Sequence, residues 1–430
     1  MAGLQKYFVL FQYRDYLKLW GAQVSSKLAE NFFNFSLVIL IYELTESSAF
    51  VSILIVLISI PPIVLSAFAG VVADSYNRKT VLLLSNLGRL LISLVAILFI
   101  SNAYVLLGIA FAIAVVAQFF SPAEVASIPT LVPKEHLFTA NSLYSVTNYA
   151  MFLLGYTLAG PLLANANPIW TFVMIMILYL SAVGLNMLLP PLQEHLKKNS
   201  EKLREAFSWR VMWQRLISGI KFIFAHRIIR FIILQLAIVF SIQRGFLSLV
   251  PAFAQDFLKI NVEDISLLLI LPLGIGAMAG VITANRIKHR TSKSIMITAG
   301  LLLDGLTLFG LAFWPDIQSA MINGGFHISP DTFLRGFIAT LAFVSGFADP
   351  LILVSAQTAL HERTPAEERG RVFGGLYTII NSLGLVPILV IGFLTSYVNF
   401  SAIIAGLGLI ILITAARGIV FYQRYSLGTE

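Results

Sequence analysis

Apolar stretches recur along almost the whole of this chain, each about as long as a bilayer is thick. No other feature limits its folding so strongly. A hydrocarbon layer roughly 30 Å deep needs about 20 apolar residues of helix to cross it. Segments of that kind run at about 19–42, 48–73, 80–100, 104–126, 140–163, 168–190, 231–252, 264–284, 295–314, 336–357, 372–395 and 398–416. Composition agrees: hydrophobic residues make up 58% and charged ones 12%, about half the charge of a soluble domain. The reading is an all-α membrane protein of twelve transmembrane helices. The opening MAGLQKYFVLFQYRDYLKLW has no short apolar core with a small-residue cleavage site, so it is not a removable signal peptide. It is expected to form a short amphipathic helix along the membrane surface.

The net charge of +8 is explained by topology. With the amino terminus in the cytoplasm, 24 of the 29 Lys and Arg fall in cytoplasmic segments, Lys259 and Arg335 fall outside, and Lys27, Arg89 and Arg244 lie within spans. That bias is the positive-inside pattern, and it places both termini in the cytoplasm and argues against nucleic acid as a partner. There are no cysteines, which excludes disulfides, thiolate metal sites and cysteine nucleophiles. The six histidines fall in loops or at span ends with no paired metal spacing, so neither a metal site nor a cofactor is expected.

Six spans, a polar stretch and six more spans divide the chain into 1–190, a linker at 191–230 and 231–430. In the linker Phe207, Val211, Leu216 and Ile220 recur at roughly helical spacing among basic residues, which predicts an amphipathic helix against anionic lipid. The halves echo each other. GVVADSYNRKTVLLLSNLG from Gly70 has a weaker echo in GVITANRIKHRTSKSIMITAG from Gly280, and VPKEHL at Val132 is echoed by TPAEER at Thr364. The second offset is longer than the first by about the length of one insertion, DIQSAMINGGFHISPDTFLRG. Repeated halves with a site near mid-membrane are a common transporter construction.

The turn after the second span, GVVADSYNRK, crowds Asp74, Arg78 and Lys79 together. Asn77 suits such a turn because asparagine tolerates positive φ. Here the chain resembles the Major Facilitator Superfamily, whose second and third spans are joined by G-x-x-x-D-R-x-G-R-K. Gly70, Asp74, Arg78 and Lys79 match it, while Ser75 and Asn77 depart. RDYLKLWGAQVSS, SPAEVASIPTLVPKEHLFTANSL, GIKFIFAHRIIR, VPAFAQDF and ERTPAEERGRVFGGLYTIIN resemble the branch of enterobactin exporters and macrolide efflux proteins. GYTLAGP, with Gly155, Gly160 and Pro161, is similar to the superfamily's antiporter motif, which Leu163 and Ala164 interrupt. The resemblance implies two bundles of six helices rocking about a central cavity, in a monomer of the cell membrane. It also implies that Asp74 braces the start of the eleventh span, around Arg369–Arg371. The plainer reading is that this turn only fixes topology.

KLAENFFN, residues 27–34, must belong to the first span, because FFNFSLVILIY alone is too short to cross. In a helix Lys27, Glu30, Asn31 and Asn34 share one face. Glu30 lies about 16 Å along the helix from Leu19, near the middle of the layer. An ionised side chain facing lipid there costs about 2.5–3.5 kcal/mol, so the face is expected to border a polar cavity or a partner. Two readings stand. Lys27 and Glu30 can simply neutralise each other as an i,i+3 pair. Alternatively Glu30 carries a coupling proton, with Lys27, Asn31 and Asn34 along the substrate path.

Arg89 needs a counter-ion, either Glu124 or Glu30, and a structural pair with Glu124 is the favoured reading. Asp304, mid-way along the ninth span, is a second proton candidate, and Asp349 beside Pro350 is expected to satisfy backbone freed by a kink. Arg244 can hold an anionic substrate group or snorkel to the surface. Phe32, Phe33, Phe119 and Phe120 are candidates to line an apolar pocket, and Gly274, Gly276 and Gly280 to permit close helix approach.

No phosphate loop is present, so ATP does not drive this chain alone. The expected function is proton-coupled export of amphipathic small molecules by alternating access. A lysophospholipid flippase is the rival within transport. A membrane-embedded enzyme or sensor is the rival outside it, weakened by the lack of a nucleophile–base constellation.

Overall fold

A computed structural model gives the architecture. It describes residues 8–165, 167–192, 217, 221–261, 264–287, 290–323, 330–364, 369–395 and 397–425. The chain separates into two compact units, residues 1–46 with 53–214, and residues 47–52 with 215–430.

In the first unit the helices are α1 Arg14–Thr45, α2 Ser48–Ser75, α3 Arg78–Leu98, α4 Ala103–Leu131, α5 Leu137–Asn165 and α6 Pro168–Met187, the first turn of α2 lying with the second unit. In the second they are α7 Arg227–Ala252, α8 Leu271–Ile287, α9 Lys293–Ala312, α10 Pro330–Arg363, α11 Arg369–Leu394 and α12 Phe400–Tyr425. A π-helical turn Phe253–Leu258 extends α7, another at Ser266–Ile270 leads into α8, and a short helix Trp314–Asn323 follows α9. Among the described residues eleven helices are long and apolar enough to cross a membrane, and α11 adds the apolar segment Ser382–Leu394. Each predicted span coincides with one of the twelve.

The packing repeats between units. In the first, α1 lies against α4, α5 and α6, and α3 against α4 and α6. In the second, α7 lies against α11, α9 against α10 and α12, and α8 against α10. Thus the pairs α1–α5, α3–α4 and α3–α6 have counterparts in α7–α11, α9–α10 and α9–α12, as two copies of one six-helix plan require.

Local chemistry explains the ends. Asn77, Asn102 and Asn167 cap α3, α4 and α6 with their side-chain oxygens on backbone amides. Asn77 has φ −59°, so the expected positive φ is absent. Asparagine is used there because its oxygen reaches the Lys79 amide at 3.0 Å. The amino-terminal stretch also differs from expectation. Among the described residues it is one 3₁₀ turn, Val9–Gln12, followed at once by α1. Leu10 and Tyr16 are buried against Leu82, Ile128 and Leu189, and the Tyr16 hydroxyl donates to Ala140 O at 3.1 Å. The turn packs onto its own bundle through Leu10, while Phe8 and Phe11 stay exposed. The linker positions Phe207, Val211, Leu216 and Ile220 lie outside the described residues.

Candidate functional site

Within α1 the residues at 29, 32, 33 and 35 to 42 are buried, whereas Lys27, Glu30, Asn31 and Asn34 are half-buried. The predicted polar face is therefore the less buried side of α1. Lys27 Nζ donates to Glu30 Oε2 at 3.1 Å, so the local pair forms. It is not the whole arrangement. Arg89 Nη1 on α3 lies 3.6 Å from the same oxygen, and its side chain is fully buried.

Arg89 is placed by several contacts at once. Nη1 donates to Ser26 Oγ at 2.8 Å, and Ser26 donates to Asn86 Oδ1 at 2.9 Å. Its Nη2 reaches Ala117 O at 3.4 Å. The guanidinium carbon stands 4.8 Å from the centre of the Phe120 ring and 5.9 Å from that of Tyr179, within cation–π range. These contacts direct Arg89 at α1, so its ion pair is with Glu30 and the expected Arg89–Glu124 pair is absent. Glu124 on α4 is buried, and neither carboxylate oxygen is in a well-formed hydrogen bond. Lys27, Arg89, Glu30 and Tyr144 are its ionisable neighbours. A carboxylate removed from water is costly, and the nearby Lys27 and Arg89 charges offset part of that cost.

Asn31 is turned onto its own helix, Nδ2 donating to Lys27 O at 2.8 Å. Gly155 of α5 explains its position: a Cβ there would come 2.6 Å from Asn31 Cβ and 3.0 Å from Phe32 N. The glycine lets α5 close on α1 beside the polar face. Gly160 is buried, and Pro161 lies inside α5 with its carbonyl accepting from Asn165 Nδ2 at 2.8 Å. Phe32, Phe33 and Phe120 are fully buried, and Phe119 packs on the cluster that holds Phe120.

The second unit holds a polar knot on the corresponding helices. Gln243 of α7 donates through Nε2 to Asp349 Oδ1 on α10 at 2.5 Å and to Asp304 Oδ2 on α9 at 3.4 Å. Ser345 Oγ donates to Asp304 Oδ1 at 2.6 Å. Asp304 is buried. Asp349 thus serves a side-chain knot and not the backbone at Pro350. Both units bring polar groups together from their first, third and fourth helices. Sequence reasoning missed Gln243 and Ser345, which are neutral and common; only the repeat, by making α7 the counterpart of α1 and α10 the counterpart of α4, could have pointed to them. Arg244, half-buried, lies against Gly384 of α11 and takes no part.

At the α2–α3 turn Lys79 Nζ donates to Met187 O at 2.8 Å and Leu189 O at 2.5 Å, and Lys18 Nζ donates to Leu188 O at 3.0 Å. Two lysines therefore close the carboxyl end of α6, where cations are favoured. Arg78 Nη1 donates to Ala126 O at 2.9 Å. A Cβ on Gly70 would meet nothing within 4 Å. The side chains of Asp74 and of Arg369–Arg371 lie outside the described residues.

Twelve long helices among the described residues, in two like units that each gather polar groups within the bundle, define a membrane transporter of the repeated-bundle class. Residues 19–329 match the Major Facilitator Superfamily model, and the chain belongs to that superfamily. It is 26% identical to the MFS-type transporter YfiS of Bacillus subtilis (strain 168), over 80% of this chain and 78% of that protein. Over a shorter stretch it is 32% identical to the lysophospholipid transporter LplT of Cronobacter sakazakii (strain ATCC BAA-894), covering 30% of this chain and 32% of that one. In fold it is similar to a POT family transporter in complex with 5-aminolevulinic acid, with a TM-score of 0.70, 11% identity, and coverage of 96% and 97% of the two chains.

Proposed function

We propose that this transporter exports amphipathic small molecules, drug-like or siderophore-like, in exchange for protons. It works as a monomer in the cell membrane, with both termini in the cytoplasm. One observation carries the reading: Lys27, Glu30 and Arg89 are ion-paired, with Glu124 beside them, inside a segment that must cross hydrocarbon. Intramembrane ionisable clusters serve ion or substrate movement. A proton reaching Glu30 loosens two ion pairs, while Glu124 offers a second carboxylate within reach of the same Lys27 and Arg89 charges. Movement of one charge inward supplies about 2.3 kcal/mol at 100 mV. Asn31 and Asn34 extend the polar path along α1, Asp304 with Gln243 is its counterpart in the second unit, and Arg244 is a further contact for an anionic group. Asp74 acts as the conformational latch, with Gly70, Arg78 and Lys79 shaping its turn.

A second reading has its own support. The likeness to LplT favours lysophospholipid as the amphipathic cargo.

Reconstitution into proteoliposomes separates these readings. With ethidium and a fluorescent lysophospholipid as probes, an imposed pH gradient is expected to drive transport by the unaltered chain. Glu30→Gln should abolish gradient-driven movement and leave gradient-independent exchange intact. Glu124→Gln and Asp304→Asn, run beside it, assign the remaining proton. Undiminished driven transport by Glu30→Gln would remove Glu30 from coupling, and movement of the lysophospholipid alone would select the second reading.

A further inference from the structure

Where α7 begins and α12 ends, a cavity of about 580 Å³ lies between the two helices, lined by Arg227, Arg230, Arg417 and Arg424 together with Phe231 and Phe421. On α7 the lining residues 227, 230, 231 and 234, and on α12 the residues 417, 420, 421 and 424, each follow the i, i+3, i+4, i+7 spacing of one helix face. Two stripes are therefore turned toward each other. The rings of Phe231 and Phe421 stack with centroids 3.8 Å apart, which ties the helices together at this level.

No lining residue is acidic. Among the described residues no salt bridge reaches Arg230, Arg417 or Arg424. Arg230 is half-buried and held in place, its Nη1 donating to Phe224 O at 3.1 Å. Guanidinium groups gathered around one cavity repel each other unless an anion joins them, and their planar forks suit phosphate oxygens. The cavity also has an apolar side. Leu234 and Val420 line it and are 36% and 66% exposed, on helices that cross hydrocarbon. Phosphate donors at the helix ends with an exposed apolar wall beside them fit a molecule that carries both a charged head and acyl chains.

We propose that this cavity binds the phosphate headgroup of an anionic phospholipid, with the acyl chains along Leu234 and Val420. Basic pockets between spans recognise lipid heads elsewhere. The site is separate from the polar knots and does not depend on the coupling mechanism.

Native mass spectrometry of the full chain, purified in a neutral detergent, tests it. Phosphatidylglycerol is expected to remain bound, while phosphatidylcholine does not, and millimolar inorganic phosphate should not displace it. Arg417→Gln with Arg424→Gln should weaken binding about thirtyfold, the effect of two surface charges. Arg14→Gln with Lys134→Gln makes the same change in net charge and should leave binding intact. If the paired arginine variant does not fold, Ala416→Trp fills the cavity with no change of charge and should also displace the lipid. Equal weakening by both paired variants would reduce the effect to overall charge and overturn the site. Displacement by inorganic phosphate would overturn the lipid assignment. Unchanged binding by the arginine pair or by Ala416→Trp would overturn both.

Discussion

Arg89→Met is expected to lower the thermal midpoint of the detergent-purified protein by roughly 6–12 °C and to abolish transport. The methionine fills the volume but removes the charge that Glu30 faces at 3.6 Å. It also leaves Ser26 without its donor and the Phe120 and Tyr179 rings without their cation. Breaking a buried pair from one side costs about 3 kcal/mol or more, and each kcal/mol moves the midpoint by roughly 2–4 °C for a unit of this size. Lys27 remains on Glu30, which keeps the loss at the lower end of that range. Arg89→Lys retains charge but loses the planar fork and the ring contacts, so it should fall between. A midpoint for Arg89→Met equal to that of the unaltered protein would mean that the pair is not formed.

A larger structural effect is expected at Gly346. A Cβ there would overlap the Leu273 carbonyl, and on the facing helix a Cβ on Gly276 or Gly280 would likewise overlap the carbonyl of Phe343 or Phe347. The contact between α8 and α10 is therefore backbone on backbone, of the kind small residues allow. Gly346→Val must push the helices apart, which opens the other two contacts as well. The cost is about 4 kcal/mol or more, at the upper end of what one substitution does. The protein should not be recovered in monodisperse form. Gly336→Ala, on the same helix, meets nothing within 4 Å and should be neutral or raise stability by about 0.5–1 kcal/mol. Size-exclusion profiles of the two variants check both statements.

The sequence shows what depends on local periodicity. Helix boundaries, the polar face of α1 and the small-residue contacts of α8 all follow from spacing along a single segment. The partner of Arg89 does not, because two carboxylates were available. The choice of Glu30 is made by the Ser26–Asn86 hydrogen bond and by the rings that close off the other side of the guanidinium. Gln243 was invisible for a related reason. An amide inside an apolar run gives no charge signal, and its two aspartate partners lie on helices that only tertiary packing brings together. Asn77 shows a third limit, since a capping asparagine and a left-handed turn asparagine look alike in sequence.

Proton-coupled transport by this chain requires that the polar face of α1 meets water inside the membrane. Because the chain contains no cysteine, that can be measured with single introduced thiols. Asn34→Cys would be compared with Tyr104→Cys, 74% exposed at the start of α4, and Leu91→Cys, 54% exposed mid-way along α3. Only a thiolate attacks a charged, membrane-impermeant thiol reagent, and thiolate forms only where water reaches. In intact membranes the thiol at 34 is predicted to react like that at 104, while the thiol at 91 stays unmodified. Protection at 34 equal to that at 91, in both the presence and the absence of transport substrate, would contradict the account.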